Sequence, residues 1–155
     1  MANTRAVMVA ALLLTACAGV PSSHVHSTGG AARDGRQVVD FPEDMRVHTL
    51  ANMRDHLHSI ERINSAMSQG QYEEAAAIAE QRLGLTSLDA HGASHLAPFM
   101  PTGMQQIGSQ MHRAASRFAL EAQNVAATND VKPALAALSE VMQQCVGCHA
   151  AYRMQ

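Results

Sequence analysis

Apolar residues recur at steps of three and four along much of the chain, which is the spacing of an α-helix with one buried stripe. The first such helix is predicted from about Pro42 or Glu43 to Met67. A proline suits the first helical turn, and the acidic pair Glu43 and Asp44 favours the positive end of the helix dipole. The predicted inward stripe of this helix is Leu50, Met53, Leu57, Ile60, Asn64 and Met67.

A second helix is predicted from about Gln71 to Leu83, because Gly70 and Gly84 interrupt the pattern on either side. Its inward positions are Tyr72, Ala75, Ala76, Ala79 and Leu83. The stretch from Leu85 to Met100 has no sustained period, so we expect an irregular connection there with at most a helical turn.

Two longer helices are predicted in the rest of the chain. The third starts near Pro101 or Thr102 and runs to about Ala127, and its stripe is Met104, Ile107, Met111, Ala115, Phe118, Ala122 and Val125. A turn follows in which Asp130 is a plausible N-cap, and the fourth helix then runs to about Met154. The stripe of the fourth helix is Leu135, Leu138, Met142, Cys145, His149 and Tyr152.

No segment alternates apolar and polar residues as a strand would, and Ala, Leu and Met are abundant, so we expect an all-α fold. Helices of this length with short connections favour an antiparallel four-helix bundle. Cys145 and His149 of the last stripe, with Cys148 in the same motif, fall on the predicted core face, so a group bound there would lie between helices near one end of the bundle.

The N-terminal residues indicate an exported protein. Arg5 precedes an apolar run from Ala6 to Leu14, followed by small residues up to Cys17, which is the order found in a secretory signal. The run Leu14-Thr15-Ala16-Cys17 resembles a bacterial lipobox, in which the cysteine is lipidated; ordinary cleavage nearby is the alternative. No aspartate follows Cys17, so we expect a periplasmic protein anchored at the inner face of the outer membrane.

These patterns divide the chain into a signal peptide over residues 1–16, a tether over residues 17–40 and one domain over residues 41–155. The tether is rich in Gly, Ser, Ala and Pro, and its His24 and His26 are expected to be solvated rather than metal ligands. The formal net charge is −2 and the chain lacks a basic run, which argues against nucleic acid as a partner.

The segment Cys145-Val146-Gly147-Cys148-His149 has the spacing C-x-x-C-H, the attachment pattern of a c-type haem. Two thiols three residues apart can each add to a vinyl group of one porphyrin, and the adjacent imidazole can then bind iron. A thioredoxin-like motif is disfavoured because no βαβ pattern surrounds it, and a structural zinc site because no second cysteine pair exists. We therefore expect one covalent haem c held by Cys145 and Cys148.

The C-terminal run from Cys145 to Arg153 resembles the cytochrome c prime family, the class II c-type cytochromes. In that family the haem motif lies near the C-terminus of a four-helix bundle and is often followed by a tyrosine and a basic residue, here Tyr152 and Arg153. Gly70-Gln71-Tyr72 before an alanine-rich helix is also similar to the family's second helix. The resemblance covers roughly residues 43–153, and the stretch from Leu85 to Met104 departs from it.

The resemblance implies that His149 is the proximal iron ligand. It also implies that Arg46 lies near a haem propionate, although a solvated arginine at a helix start is an equal alternative. Leu50 matches the family position over the distal face of the haem. A leucine there implies five-coordinate iron in an apolar pocket that admits small gases, whereas Met53, one turn away, could supply a sixth ligand.

Other histidines and methionines raise the alternative of a second metal site. His91 and His95 are four residues apart, and Met100, Met104, Met111 and His112 follow. Thioethers and imidazoles together could bind copper, but the methionines fit the core stripe and the two histidines fit hydrogen bonds within the connection. His48 and His56 are predicted to be solvated, and His58 to lie on a flank of the first helix.

The sequence contains none of the common catalytic motifs, and we expect no enzyme activity. The favoured function is one-electron transfer between redox partner proteins of the cell envelope. The alternative is a five-coordinate haem protein that binds small gases such as NO or CO, and a copper-binding module using His91 and His95 is a weaker one. Whether the chain forms a homodimer is left open.

Overall fold

The structure is a computed structural model, and it describes residues 34–155. These residues comprise the whole of the predicted domain and the last part of the predicted tether. The predicted signal peptide, the lipidation of Cys17 and most of the predicted tether, with His24 and His26, lie outside the described residues.

Five α-helices account for most of the described residues, and the predicted all-α class is confirmed. Helix α1 spans Glu43–Ser68, α2 Tyr72–Arg82, α3 Ala93–Leu96, α4 Thr102–Thr128 and α5 Lys132–Ala151. The connection between α2 and α4 contains the short α3 and two 3-10 turns, Leu85–Ser87 and Ala97–Phe99. The predicted bounds of the four longer helices are thus confirmed to within a few residues, apart from the end of α5.

Two short strands, β1 at Gln37–Val39 and β2 at Tyr152–Met154, form a parallel pair. Two expectations are wrong here. The fourth helix does not continue to Met154 but ends at Ala151, and residues 37–39 are part of the folded domain rather than of a tether. Val39 is the reason, because its side chain is only 2% exposed and its burial fixes the segment before α1.

The helix ends follow local chemistry. Gly70, between α1 and α2, has a φ of +72°, and Asn129, after α4, has a φ of +52°, a left-handed conformation that these residue types tolerate. The carboxylate of Asp130 accepts a hydrogen bond from the backbone N–H of Lys132 at 3.0 Å. Asp130 therefore satisfies a free donor at the start of α5, although it lies one residue before the N-cap.

The helices pack in a row in which α1 contacts α2, α2 contacts α4, and α4 contacts α5. Within residues 34–155, α1 and α5 lack comparable packing against each other. Alanines line the contacts between neighbouring helices and let them approach closely. The fully buried members of this main core include Ile63, Ala75, Ala79, Ala115, Phe118, Ala122 and Ala134.

A second, smaller cluster lies where the strands, the start of α4 and the end of α5 meet. Its buried members are Val39, Phe41, Leu96 and Met104, and Met45, Met100, Cys148, Tyr152 and Met154 pack against them. Residues from β1, α1, the connection, α4, α5 and β2 thus meet at this end of the domain. The cluster connects the segment before α1 to the C-terminal residues.

The predicted stripes are confirmed for α2 and α4, where only Tyr72 and Ile107 are half-buried, but they are wrong in part for α1 and α5. In α1 the buried residues are Thr49, Ser59, Ile63, Ala66 and Met67. Because successive residues of a helix are about 100° apart, this face lies roughly one residue step from the predicted one. Leu57 is 73% exposed and Asn64 is exposed as well.

In α5 the buried residues are Ala134, Ala137, Leu138 and Val141. Leu135, Met142 and His149, which the prediction placed inward, are exposed. The buried side of α5 thus combines two alanines with Leu138 and Val141 against α4, whereas Leu135, Met142 and Val146 lie toward solvent. Long apolar side chains were a poor guide to the buried face in both α1 and α5.

Candidate functional site

The two thiols of the C-x-x-C-H segment lie on the last turns of α5, between the two clusters. Cys145 packs against the main core, and Cys148 against the second cluster. Both are free and partly buried, and burial raises the pKa of both thiols. The Cys145 thiol donates a hydrogen bond to the Val141 carbonyl at 3.5 Å. The structure therefore presents two neutral, unoxidised thiols one helical turn apart.

His149 has a different environment from the thiols. Its side chain is exposed, and its backbone carbonyl accepts a hydrogen bond from the Arg36 guanidinium at 3.3 Å. The helical period places the ring on the same side of α5 as Met142 and Val146, which are 40% and 69% exposed. The expectation that His149 faces the core is wrong, and its imidazole is instead accessible beside uncovered apolar side chains.

The residues that follow the motif are held in place by the second cluster. Tyr152 packs into that cluster, and a side chain at Gly103 would overlap its hydroxyl group. Arg153 is ion-paired with Asp34, with 3.5 Å between Nε and Oδ2. Asp34 also forms an ion pair with Arg36 at 2.7 Å, and the hydrogen bonds from Arg36 lower the pKa of Asp34 to about 2. These contacts join β2 to the second cluster and to the residues before β1.

Arg46, the predicted propionate partner, forms an ion pair with Glu43 one turn earlier in α1, at 2.7 Å. This bond raises the pKa of the guanidinium and lowers that of the Glu43 carboxyl group. Both ionic groups are close to solvent, so their pairing contributes little to stability. The guanidinium is free to exchange Glu43 for another carboxylate.

The two predicted distal residues, Leu50 and Met53, are half-buried and belong to neither apolar cluster. With Leu57 they form an apolar stripe on α1, about 100° from the face that packs on α2 and the connection. The N-terminal half of α1 buries polar side chains instead, and Asn52 donates a hydrogen bond to the His91 carbonyl at 3.0 Å. Within residues 34–155 the apolar stripe of α1 therefore packs against neither apolar cluster.

Three histidines come together where α1, the connection and α4 meet. The ring of His56 lies edge-on to His91, with 4.7 Å between their centroids, and His112 lies 5.4 Å from His91. His56 was predicted to be solvated, and that prediction is wrong: its ring is mostly buried, which lowers its pKa to about 4. His48 is exposed as predicted, with Nε2 3.0 Å from the His91 carbonyl oxygen.

The alternative in which His91 and His95 share a metal site is not formed, since His95 is exposed while His91 turns toward His56 and His112. Among residues 34–155 no three His, Cys, Asp or Glu side chains are already arranged as a metal centre. The sequence pattern could have found only His112, which lies beside Met111 on the buried stripe of α4. His56 and His91 are distant in sequence, and no spacing rule joins them.

No family model, curated protein or solved structure matches this chain. In the part of the chain that the structure describes, no helix is both long and apolar enough to cross a membrane. The function is therefore inferred from the residues of the chain itself.

Proposed function

We propose that this chain is a c-type cytochrome that carries one haem through thioether bonds to Cys145 and Cys148, with His149 as the proximal iron ligand. The observation that carries the proposal is the set of two free thiols one turn apart with an accessible imidazole directly after the second. In each attachment the S–H adds across a vinyl C=C bond. The sulfur bonds one carbon, the hydrogen goes to the other, and no external oxidant is needed.

The uncovered apolar surface supports the same proposal. Within residues 34–155, Leu50, Met53 and Leu57 on α1 belong to neither apolar cluster, and Met142 and Val146 on α5 lie exposed beside His149. These stripes belong to the two helices that do not pack closely on each other. A flat porphyrin held by α5 and covered by α1 would bury both stripes, at about 25 cal/mol per Å² of apolar surface, and would complete an antiparallel four-helix bundle.

The residues have distinct roles in this proposal. The thiols fix the porphyrin, His149 binds iron from one side, and Leu50 and Met53 line the other side. The Arg46 guanidinium would bind a propionate in place of the Glu43 carboxylate, and Tyr152 and Arg153 would hold the proximal end. When bound, the haem iron supplies one-electron redox chemistry.

The proposed activity is one-electron transfer, with no catalysis of its own, because the distal stripe contains no proton donor for oxygen or peroxide chemistry. We propose redox partner proteins in the cell envelope, and a lipid at Cys17 that keeps the domain at the inner face of the outer membrane. The anchor would raise the local concentration of the domain near membrane-bound partners.

Gas binding is the second candidate, and Leu50 favours it. An aliphatic side chain over the iron leaves the sixth position vacant for a small neutral ligand, unless the Met53 thioether reaches it. Both residues are half-buried on one stripe, so the choice depends on which side chain lies over the iron.

Absorption spectra of the oxidised and reduced protein, with and without carbon monoxide, test the proposal. Sharp low-spin bands that carbon monoxide does not change would indicate a sixth protein ligand and an electron carrier, and Met53→Leu should then convert the protein to high spin. A high-spin spectrum that carbon monoxide shifts would favour gas binding under Leu50. If co-expression with a haem-attachment system gives no covalent haem, the proposal is refuted.

His149→Ala and His95→Ala form a matched pair for the axial ligand, because both side chains are exposed. We expect the His149 variant to retain covalent haem but to change its spectrum, and the His95 variant to match the wild type. An unchanged His149 variant would refute the axial assignment.

A further inference from the structure

Three imidazole rings from three separate segments form a triangle inside the domain. His56 lies on α1, His91 in the connection and His112 on α4, where it is only 8% exposed. The ring centroids are 4.7 Å apart for His56 and His91, 5.4 Å for His91 and His112, and 6.3 Å for His56 and His112. Each ring carries polar nitrogens that require partners, and no carboxylate lies among the three rings. Their meeting inside the domain therefore calls for an explanation.

The triangle has the dimensions of a metal centre. Three imidazoles bound through nitrogen to one tetrahedral ion at about 2.0–2.1 Å have their ring centroids roughly 5 Å apart. The observed separations bracket that value. We propose that His56, His91 and His112 bind one divalent transition-metal ion of the Zn²⁺ class, with the fourth position left to solvent.

The hydrogen bonds of His112 fix which nitrogen is available. Its Nδ1 lies 2.7 Å from the Leu83 carbonyl oxygen and 3.2 Å from that of Gly84, so Nδ1 carries the hydrogen and donates it. Nε2 then holds a free lone pair. An imidazole that donates its other N–H to a backbone carbonyl is the usual arrangement of a metal-ligating histidine, since it fixes both the tautomer and the ring.

His56 supplies a second, independent observation. Its Nε2 is shielded from solvent and has no hydrogen-bond partner. A buried polar atom without a partner is uncommon in folded proteins and calls for a ligand, a water or an ion. A cation bound among the three rings would satisfy this nitrogen.

The surroundings of the triangle keep the three rings neutral, which is the form that binds a metal. Burial lowers the pKa of all three histidines, so each is neutral at pH 7, and a metal binds the neutral imidazole. Asp55 and Arg82 lie nearby, and because they are hydrogen-bonded to each other their charges offset. The site therefore does not have to lose a proton from any ring before it binds a cation.

The rings must rotate to bind the ion, because the three donors are not already arranged around one point. His91 has this freedom: it is half-buried, and its Nδ1 is only weakly engaged, 3.4 Å from Ser87 Oγ. Its backbone is held, since His48 Nε2 and Asn52 Nδ2 each lie 3.0 Å from its carbonyl oxygen. The ring can turn while the backbone stays, and the bound ion would join α1, the connection and α4.

Calorimetric titration with Zn²⁺ and thermal unfolding test the proposal on the full chain without an affinity tag. A His24→Gln/His26→Gln background removes the two N-terminal histidines as competing ligands. We expect one equivalent of Zn²⁺ to bind and to raise the unfolding temperature. His91→Gln should weaken binding by more than about tenfold, whereas His95→Gln, an exposed neighbour in the same connection, should bind as the background does.

His56→Gln gives a second test, at the ring whose Nε2 is shielded from solvent. Circular dichroism without metal establishes that each variant is folded. The proposal is overturned if Zn²⁺ neither binds nor shifts the unfolding temperature, or if His91→Gln and His95→Gln bind alike. The outcome is independent of the proposed haem, whose spectrum reports on the C-terminal motif and not on these rings.

Discussion

Val39 pairs with Met154 in the parallel two-strand sheet, so the segment before α1 is bonded to the chain that directly follows the C-x-x-C-H motif. Val39 is buried, and Met154 packs against it in the second cluster, where Cys148 also lies. The position of the motif therefore depends on residues at the opposite end of the domain sequence. A change at Val39 should therefore disturb the C-x-x-C-H segment as well as lower the stability of the domain.

Val39→Asp should destabilise the domain by about 2–4 kcal/mol, because it removes a buried aliphatic group and buries a carboxylate without a partner. Val38→Asp is the matched control: Val38 is in the same strand but 38% exposed, and its change should cost less than about 1 kcal/mol. Urea unfolding followed by circular dichroism measures both. Equal losses in the two variants would contradict the role assigned to β1.

The sequence predicted α2 and α4 well because their buried residues, His112 apart, are apolar and keep the helical period. It failed in part on α1, where Thr49, Asn52 and Ser59 occupy the inner side: Thr49 donates to the Met45 carbonyl of its own helix, and Asn52 to the His91 carbonyl of the connection. An apolar pattern cannot reveal a polar face that is buried by a loop.

The two strands and the histidine triangle were not predictable for a related reason. Three residues are too few to display an alternation, and the pairing of Gln37 with Tyr152 joins distant parts of the chain. His56, His91 and His112 likewise meet only through the tertiary packing of α1 and α4 around the connection. The C-x-x-C-H motif, in contrast, is local, and a sequence pattern identifies it fully.

Two glycines should respond to alanine in opposite directions. Gly108 lies within α4 and has open space where a Cβ would be, so Gly108→Ala should stabilise the domain by about 0.5–1 kcal/mol. Gly70 has a φ of +72°, which L-residues adopt at a cost, so Gly70→Ala should destabilise it by about 1–2 kcal/mol. Thermal unfolding of the two variants measures the difference. If both alanine variants were more stable than the wild type, the left-handed turn at Gly70 would not be required for the fold.

Removing the Arg46 guanidinium should lower the haem reduction potential if it binds a propionate, because a nearby positive charge disfavours the oxidised iron. Arg46→Gln removes the charge but keeps a polar side chain, and spectroelectrochemistry measures the potential. Glu43→Gln is the control: it frees the guanidinium from its present partner and should leave the potential unchanged or raise it. If the potential of Arg46→Gln is unchanged, Arg46 does not bind a propionate, and its role is limited to the ion pair with Glu43 at the start of α1.

Acid should destabilise the domain through His56. Burial, then the nearby rings of His91 and His112, lower its pKa from 6.5 to about 4, while Asp55 opposes and Arg82 adds to the shift. Since the folded pKa lies below the unfolded one, the unfolded chain binds the proton first. This contribution is intact above pH 6.5 and is lost as the pH falls toward 4, by on the order of 3 kcal/mol.

Urea unfolding at pH 7 and pH 5 measures this loss. His56→Phe should reduce the pH dependence, since phenylalanine keeps the ring volume but does not titrate, whereas His58→Phe, at an exposed position, should retain it. A His56→Phe variant with the full pH dependence of the wild type would assign the effect to His91 and His112.

A charge introduced at Leu57 tests whether haem covers the apolar stripe of α1. Leu57 is 73% exposed in the protein alone, so Leu57→Lys should cost less than about 0.5 kcal/mol in a Cys145→Ser/Cys148→Ser background that cannot attach haem. If haem closes the gap between α1 and α5, the same change in the haem-bearing protein buries a charge against the porphyrin and should cost more than about 1 kcal/mol. Leu120→Lys on α4, 62% exposed, is the control and should behave alike in both backgrounds. Thermal unfolding of the unchanged protein and of the two variants, each with and without the two cysteines, shows how far haem alters the cost of each change. No difference at Leu57 would mean that haem, where attached, does not lie under this stripe.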